Sequence, residues 1–207
     1  GGPRLLRYAV EEANCIVCHN GNVAETDIGQ AMEKPSSHLV RDTTEVHDPT
    51  EDAVVRQRHV ECADCHDAHT TSPGQGVGFG AAMNRMRGIS VTGAEVAPIS
   101  EEHQLCFRCH GSSLGKSFPF TRRLVEETNL LRKFDPANPS FHPNSGPGRN
   151  PYVPSLIPPL SVASVIQCTD CHNNDNLDGP RGPHGSNFRP LLERQYETAD
   201  PSIESTA

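Results

Sequence analysis

Tryptophan is absent from this chain, and aromatic residues of any kind make up 5% of its 207 residues. The apolar fraction, 34%, is below what a globular domain of this length uses to fill a core. Either much of the chain stays open, or something other than side chains fills the interior. Long apolar runs are missing too; none approaches the roughly 18 residues that a membrane-spanning helix needs. Positive charge is in short supply, with 18 Lys and Arg against 26 Asp and Glu and a formal charge of −8. That balance excludes the basic surfaces that recognise nucleic acid or anionic lipid. Stretches free of helix and strand breakers are rare, because 18 prolines and 17 glycines are spread along the whole length, which argues against long helices and broad sheets. The chain begins at Gly1 rather than Met and is read as a mature or trimmed form from which any signal peptide is gone.

What the chain does have is eight cysteines in four identical settings: Cys15-Ile16-Val17-Cys18-His19, Cys62-Ala63-Asp64-Cys65-His66, Cys106-Phe107-Arg108-Cys109-His110 and Cys168-Thr169-Asp170-Cys171-His172. No cysteine is left over. Cys-x-x-Cys-His is the attachment signature of c-type haem. Two thiols three positions apart on a tight helical turn reach the two vinyl groups on one edge of a porphyrin. The histidine that follows then sits under the ring as the proximal iron ligand. Structural zinc uses similar cysteine pairs, but with roughly 15–20 residues between them; here 43, 40 and 58 residues intervene and every pair is followed by His. Disulfide-exchange motifs of this form belong to βαβ folds, and no such pattern is present. The expected cofactors are therefore four haem c groups with their iron. Large flat apolar discs also resolve the composition, since they supply the missing core, and their propionates deepen the acidity.

The fold class expected is a multihaem cytochrome c, with few short helices, mostly loops wrapped around a haem core, and little or no sheet. It is read as a single domain over 1–207. Residues 4–13 predict a short helix with Leu5, Tyr8 and Ala9 on one side. Residues 20–60 are polar, with Pro35 and Pro49 as breakers. The run Gly74-Gln75-Gly76-Val77-Gly78-Phe79-Gly80 reads as an irregular loop, not a phosphate-binding loop, because no Lys-Ser/Thr follows it. A stripe of Leu124, Leu131 and Phe134, flanked by Val125 and Leu130, predicts a helix over 121–134 ended by Asp135-Pro136. Residues 135–160 form a Pro-rich meander, and the polar tail from about 193 to 207 is read as loose or docked on something else.

Each haem iron has two axial positions, and His19, His66, His110 and His172 fill one apiece. Seven histidines remain for four vacancies, which makes bis-histidine ligation throughout the economical reading. Such ligation leaves no open iron for substrate and lowers the potential, so electron transfer is expected rather than catalysis. His184 follows the fourth motif in a Gly/Pro turn that can fold back over a ring. His142 lies in a Pro-flanked loop, and His38 in a polar segment with no other use for a histidine. The fourth vacancy is contested. His69 stands three residues after His66, where one helical turn would aim both imidazoles at neighbouring haems, and it is preferred to His59, three residues before Cys62. His47, in Val46-His47-Asp48-Pro49, is the candidate for a role between subunits. His103, behind Glu101 and Glu102, ranks last among the candidates, because a solvated helix start explains it as well.

The stretch His59-Val60-Glu61-Cys62-Ala63-Asp64-Cys65-His66-Asp67-Ala68-His69, followed by Leu105-Cys106-Phe107-Arg108-Cys109-His110, resembles the paired Cys-x-x-Cys-His multihaem cytochromes of metal-respiring microbes. Phe141-His142-Pro143 running to Gly146-Pro147-Gly148, and Gly182-Pro183-His184-Gly185-Ser186, are similar to the same family. Ser36-Ser37-His38 is also similar, although Leu39 stands where the family often has Pro. The likeness covers most of residues 10–190. Members with four haems and these flanking motifs include extracellular cytochromes that polymerise into conductive filaments, or nanowires, in which a histidine of one subunit completes a haem in the next. The resemblance thus implies self-association into a filament outside the cell, with partner cytochromes or extracellular acceptors as redox partners. A soluble periplasmic tetrahaem carrier is the alternative, and a multihaem reductase, which needs an open iron, a third reading.

Overall fold

The computed structural model describes residues 6–42, 48, 59–68, 83, 85–112, 129–154, 156 and 158–195. Among them helix is limited to short pieces: α1 (Glu11–Ile16), α2 (Ile28–Ala31), α3 (Cys62–Cys65) and α4 (Glu102–His110). Single 3₁₀ turns occur at Val40–Asp42, Leu130–Lys133 and Cys168–Asp170. Strands β1 (Ser36–Ser37), β2 (Gly88–Ile89), β3 (Glu95–Val96) and β4 (Gly185–Ser186) make two antiparallel pairs, β1 with β4 and β2 with β3. The rest is turn and loop, as the breakers in the sequence require. No described helix is long and apolar enough to cross a membrane. The chain divides into two compact units interleaved in sequence, Gly1–His47, His59–Cys62 and Thr169–Ala207 in the first, Asp48–Arg58 and Ala63–Cys168 in the second.

In the first unit, α1 starts later than the 4–13 helix expected from the sequence. Residues 6–10 are not helical and Val10 is extended, at φ −95° and ψ 131°. The cause is Asn14, whose side chain accepts from the Tyr8 N–H at 2.9 Å and donates to the carbonyls of Tyr8 (3.1 Å) and Val10 (2.9 Å). A short polar side chain competes here with the helix for backbone groups and wins. Beyond the first motif the chain turns back, the Ala24 N–H donating to the Cys18 carbonyl at 2.9 Å and the Ile28 N–H to that of His19 at 3.0 Å. Asp27 then caps α2 by accepting from the Gln30 N–H at 2.9 Å. The β1–β4 pair joins Ser36 to Ser186 and Ser37 to Gly185. Position 185 must be glycine, because a Cβ there would overlap the carbonyl oxygen of Ala31.

In the second unit, β2 and β3 form a hairpin in the register Gly88↔Val96 and Ile89↔Glu95, with Gly93 at φ +85° in its turn. The hairpin lies against α4: a Cβ on Gly88 would sit 2.6 Å from the Gln104 carbonyl oxygen. At the start of α4, Gln104 reaches back to accept from the Ser100 N–H at 2.9 Å and donates to Glu101 at 3.1 Å, a variant of the capping box. The helix expected over 121–134 is interrupted in its described part. Asn129 is extended (φ −128°, ψ 90°) and its side chain accepts from the Leu131 N–H at 3.1 Å, so only the 3₁₀ turn Leu130–Lys133 follows. Leu124 and Val125 lie outside the described residues, as does the glycine run 74–80.

The core is thin. Among the described residues the buried apolar side chains are Ala31, Val40 and Leu191 in the first unit and Ile99, Leu105, Phe107 and Leu131 in the second. Buried polar residues outnumber them, with Glu61, Asn173, Asn174 and Ser186 the most completely enclosed.

Candidate haem-attachment sites

Each Cys-x-x-Cys-His motif rides on a helical turn. α1 carries Cys15, and the turn closes as the N–H groups of Cys18 and His19 donate to the Cys15 carbonyl at 3.1 and 3.0 Å. α3 is the Cys62–Cys65 turn itself. α4 holds Cys106, Cys109 and His110 in its last two turns, and the fourth motif opens on the 3₁₀ turn Cys168–Asp170. Such turns set two cysteines three positions apart on one side, the placement that attachment to one porphyrin edge requires. Cys18 and Cys171 are exposed and the other six are half-buried.

Sulfurs of successive motifs are neighbours inside each unit. In the first unit the Cys62 thiol donates to Cys15, which holds Cys15 below the ordinary thiol value and pushes Cys62 above it. In the second, Cys106 is raised first by its hydrogen bond to Cys168 and then by burial. Burial pushes Cys65 up to about 12, with the nearness of Cys109 adding to it. Two side chains of the second unit steady these turns. Arg108 of α4 donates to the Asp64 carbonyl at 2.6 Å, and Asn144 donates to the Ile166 carbonyl at 2.8 Å and to the Cys168 sulfur at 3.8 Å.

The most elaborate surroundings belong to the fourth motif's histidine. Nδ1 of His172 lies 3.1 Å from the Pro190 carbonyl oxygen. Asn173, 1% exposed, organises the turn that follows. Its amide donates to the Thr169 carbonyl (3.1 Å) and the Glu193 carboxylate (3.0 Å), and its oxygen accepts from the N–H groups of Asn174 (2.9 Å) and Gly182 (2.7 Å). The Glu193 N–H donates to the Cys171 carbonyl at 2.9 Å. Glu193 is thus tied to the motif rather than loose; residues 196–207 of the tail expected from about 193 lie outside the described set. Lys34 joins this network from the other side, donating to Asn174 and Asp175 at 2.5 Å each.

Of the distal candidates, His38 is half-buried, with Nδ1 2.8 Å from the Pro183 carbonyl oxygen. His184 is half-buried, its N–H donating to the Gly182 carbonyl at 2.9 Å. His59 is half-buried beside Glu61, ligand atoms of the two lying within 4.8 Å. His142 is exposed and closes a line of rings in the second unit: His103 to Phe107 at 5.1 Å, Phe107 to Phe134 at 5.0 Å, Phe134 to His142 at 5.5 Å. His69 and His47 lie outside the described residues. His103 is not solvated, so a solvated helix start does not account for it. It is 3% exposed, and burial lowers its pKa against the opposing pull of Glu101 and the Asn144 backbone. A signal for this was in the sequence, since His103 precedes Cys106 by three residues just as His59 precedes Cys62.

The residues present fit c-type haem on their own chemistry. Cysteine pairs on helical turns offer two thiols to one edge, and a histidine whose Nδ1 faces a carbonyl keeps the lone pair on Nε2, the form that binds iron. Compared with known families, curated proteins and solved structures, the chain finds no match in any of the three.

Proposed function

We propose that this chain is a tetrahaem c-type cytochrome that transfers electrons, an electron-transfer protein rather than an enzyme, and that it works outside the cytoplasm as the subunit of a conductive filament. The supporting observation is the repetition of one turn. Four Cys-x-x-Cys-His motifs each sit on a helical turn, and within each unit the sulfurs of one motif neighbour those of the next. Haem bound at these cysteines supplies a one-electron couple. The cysteine pairs would hold it through thioethers, the histidines would offer their imidazoles to the iron, and the neighbouring sulfurs of successive motifs would keep the hops short. The small number of buried apolar side chains among the described residues supports the same reading, because a loop-rich chain needs large apolar groups to enclose. The filament rests on the family resemblance and on a supply of histidines larger than four irons need.

The deciding measurement is the mass of the denatured protein. Thioether bonds survive unfolding and axial bonds do not, so acid-extracted protein should carry four haems. A mass equal to that of the bare polypeptide would overturn the proposal.

A further inference from the structure

We infer that His38 and His172 are the two axial ligands of one iron, that of the haem attached at Cys168 and Cys171. The inference rests on the proposed haem binding and adds to it a specific pairing between side chains 134 positions apart in the chain.

Both imidazoles are prepared in the same way. Nδ1 of His38 is 2.8 Å from the carbonyl oxygen of Pro183, and Nδ1 of His172 is 3.1 Å from that of Pro190. A carbonyl oxygen can only accept, so in each neutral ring the proton sits on Nδ1 and the lone pair on Nε2. This is the outer hydrogen bond that orients metal-ligating histidines and raises their basicity. Proline carbonyls suit the task, since the ring fixes φ and with it much of the local backbone.

The two acceptors belong to a single folded segment that is fastened to both histidines. On one side, β1 ends at Ser37, directly before His38, and pairs with β4, which begins at Gly185. Arg189 adds a second tie by donating to the Pro35 carbonyl at 2.9 Å. On the other side, the Glu193 N–H holds the Cys171 carbonyl, and a bridge between Phe188 and Leu192 closes the turn that presents Pro190.

His184 is the rival for the same position and is disposed differently. Its ring lies back over its own turn, where a Cβ on Gly182 would meet Cε1 at 3.1 Å, and Gly182 has the φ of +105° that favours glycine. His38 arrives instead from a separate strand. The pairing leaves His184 to serve another iron.

The test counts low-spin haems by electron paramagnetic resonance in the native, haem-loaded protein, with thioether-bound haems counted in parallel by mass. His38→Ala should convert one of four low-spin haems to high spin, and His172→Ala should cost one low-spin haem as well. The double variant H38A/H172A should keep three low-spin haems, because both changes fall on one iron. Two remaining would place the histidines on different irons and overturn the pairing, as would an H38A variant that stays low-spin throughout. In a Cys168→Ser/Cys171→Ser background, which carries three haems, adding H38A should convert none of them; conversion of one would also overturn it. Failure of the haem proposal itself reads differently, as a wild-type protein without thioether-bound haem.

Discussion

At the scale of one residue, Asn173 shows how much of the fourth site depends on a side chain that binds nothing. Its amide satisfies two N–H groups, a carbonyl and a carboxylate in a place closed to water. Removing it strands partners that cannot be resolvated, at about 1–3 kcal/mol for each buried group left unsatisfied. Asn173→Ala should lower the stability of the holoprotein, read from its denaturation midpoint, by an amount of that order while leaving four haems attached by mass. An unchanged midpoint would mean that the turn is held by haem alone. The four Cys-x-x-Cys-His motifs are legible in the sequence because each lies within five consecutive positions. Asn173 was not legible, because its partners stand up to 20 residues away. For the same reason the sequence could nominate His38 as a candidate ligand but not pair it with a particular motif; the carbonyl it faces is 145 residues distant.

At the scale of elements, the short helices were foreseen and their limits were not. Periodicity cannot weigh an Asn side chain against a helix, and Asn14 and Asn129 each took backbone groups that a longer helix would have used. Small strands of two residues leave no periodic trace at all, so the β1–β4 pair had to be seen in the structure. The end of α2 is tied to that pair's surroundings by Lys34 and Asp175, whose side chains are 19% and 11% exposed and therefore little screened by solvent. Burial alone would raise the Asp175 pKa, but hydrogen bonds from Lys34 and Asn187 outweigh it and hold the carboxyl below the usual carboxylate range. A depressed folded-state value means that the stabilisation is fully present above the unfolded value, near pH 4, and is lost as pH falls through the folded one. Lys34→Met should therefore destabilise the protein most at neutral pH. The gap from wild type in denaturation midpoint should close as the pH is lowered below about 4; a gap independent of pH would assign the loss to packing.

At the scale of the whole molecule, the proposed function turns on whether copies associate. A contact between two different patches of one chain, repeated without closing, builds a helical filament, and a histidine lent to a neighbour's iron would fix its register without changing the ligand count. Negative-stain images of native material should show long fibres, and the reduced protein should bind carbon monoxide poorly because no iron is open. Protein that stays monomeric at high concentration with every iron low-spin would leave a soluble periplasmic carrier, and rapid stoichiometric carbon monoxide binding at one haem would point to a reductase. The few buried hydrophobic side chains also bear on how such a molecule comes into being. The seven buried apolar side chains among the described residues offer little to collapse around before any large apolar group is bound. If the chain carries haem as proposed, attachment would come first and folding second, on a chain still open enough for each cysteine pair to be reached. On that reading the prosthetic group would be the template of the fold rather than its late passenger, and the supply of haem would set how much finished protein forms.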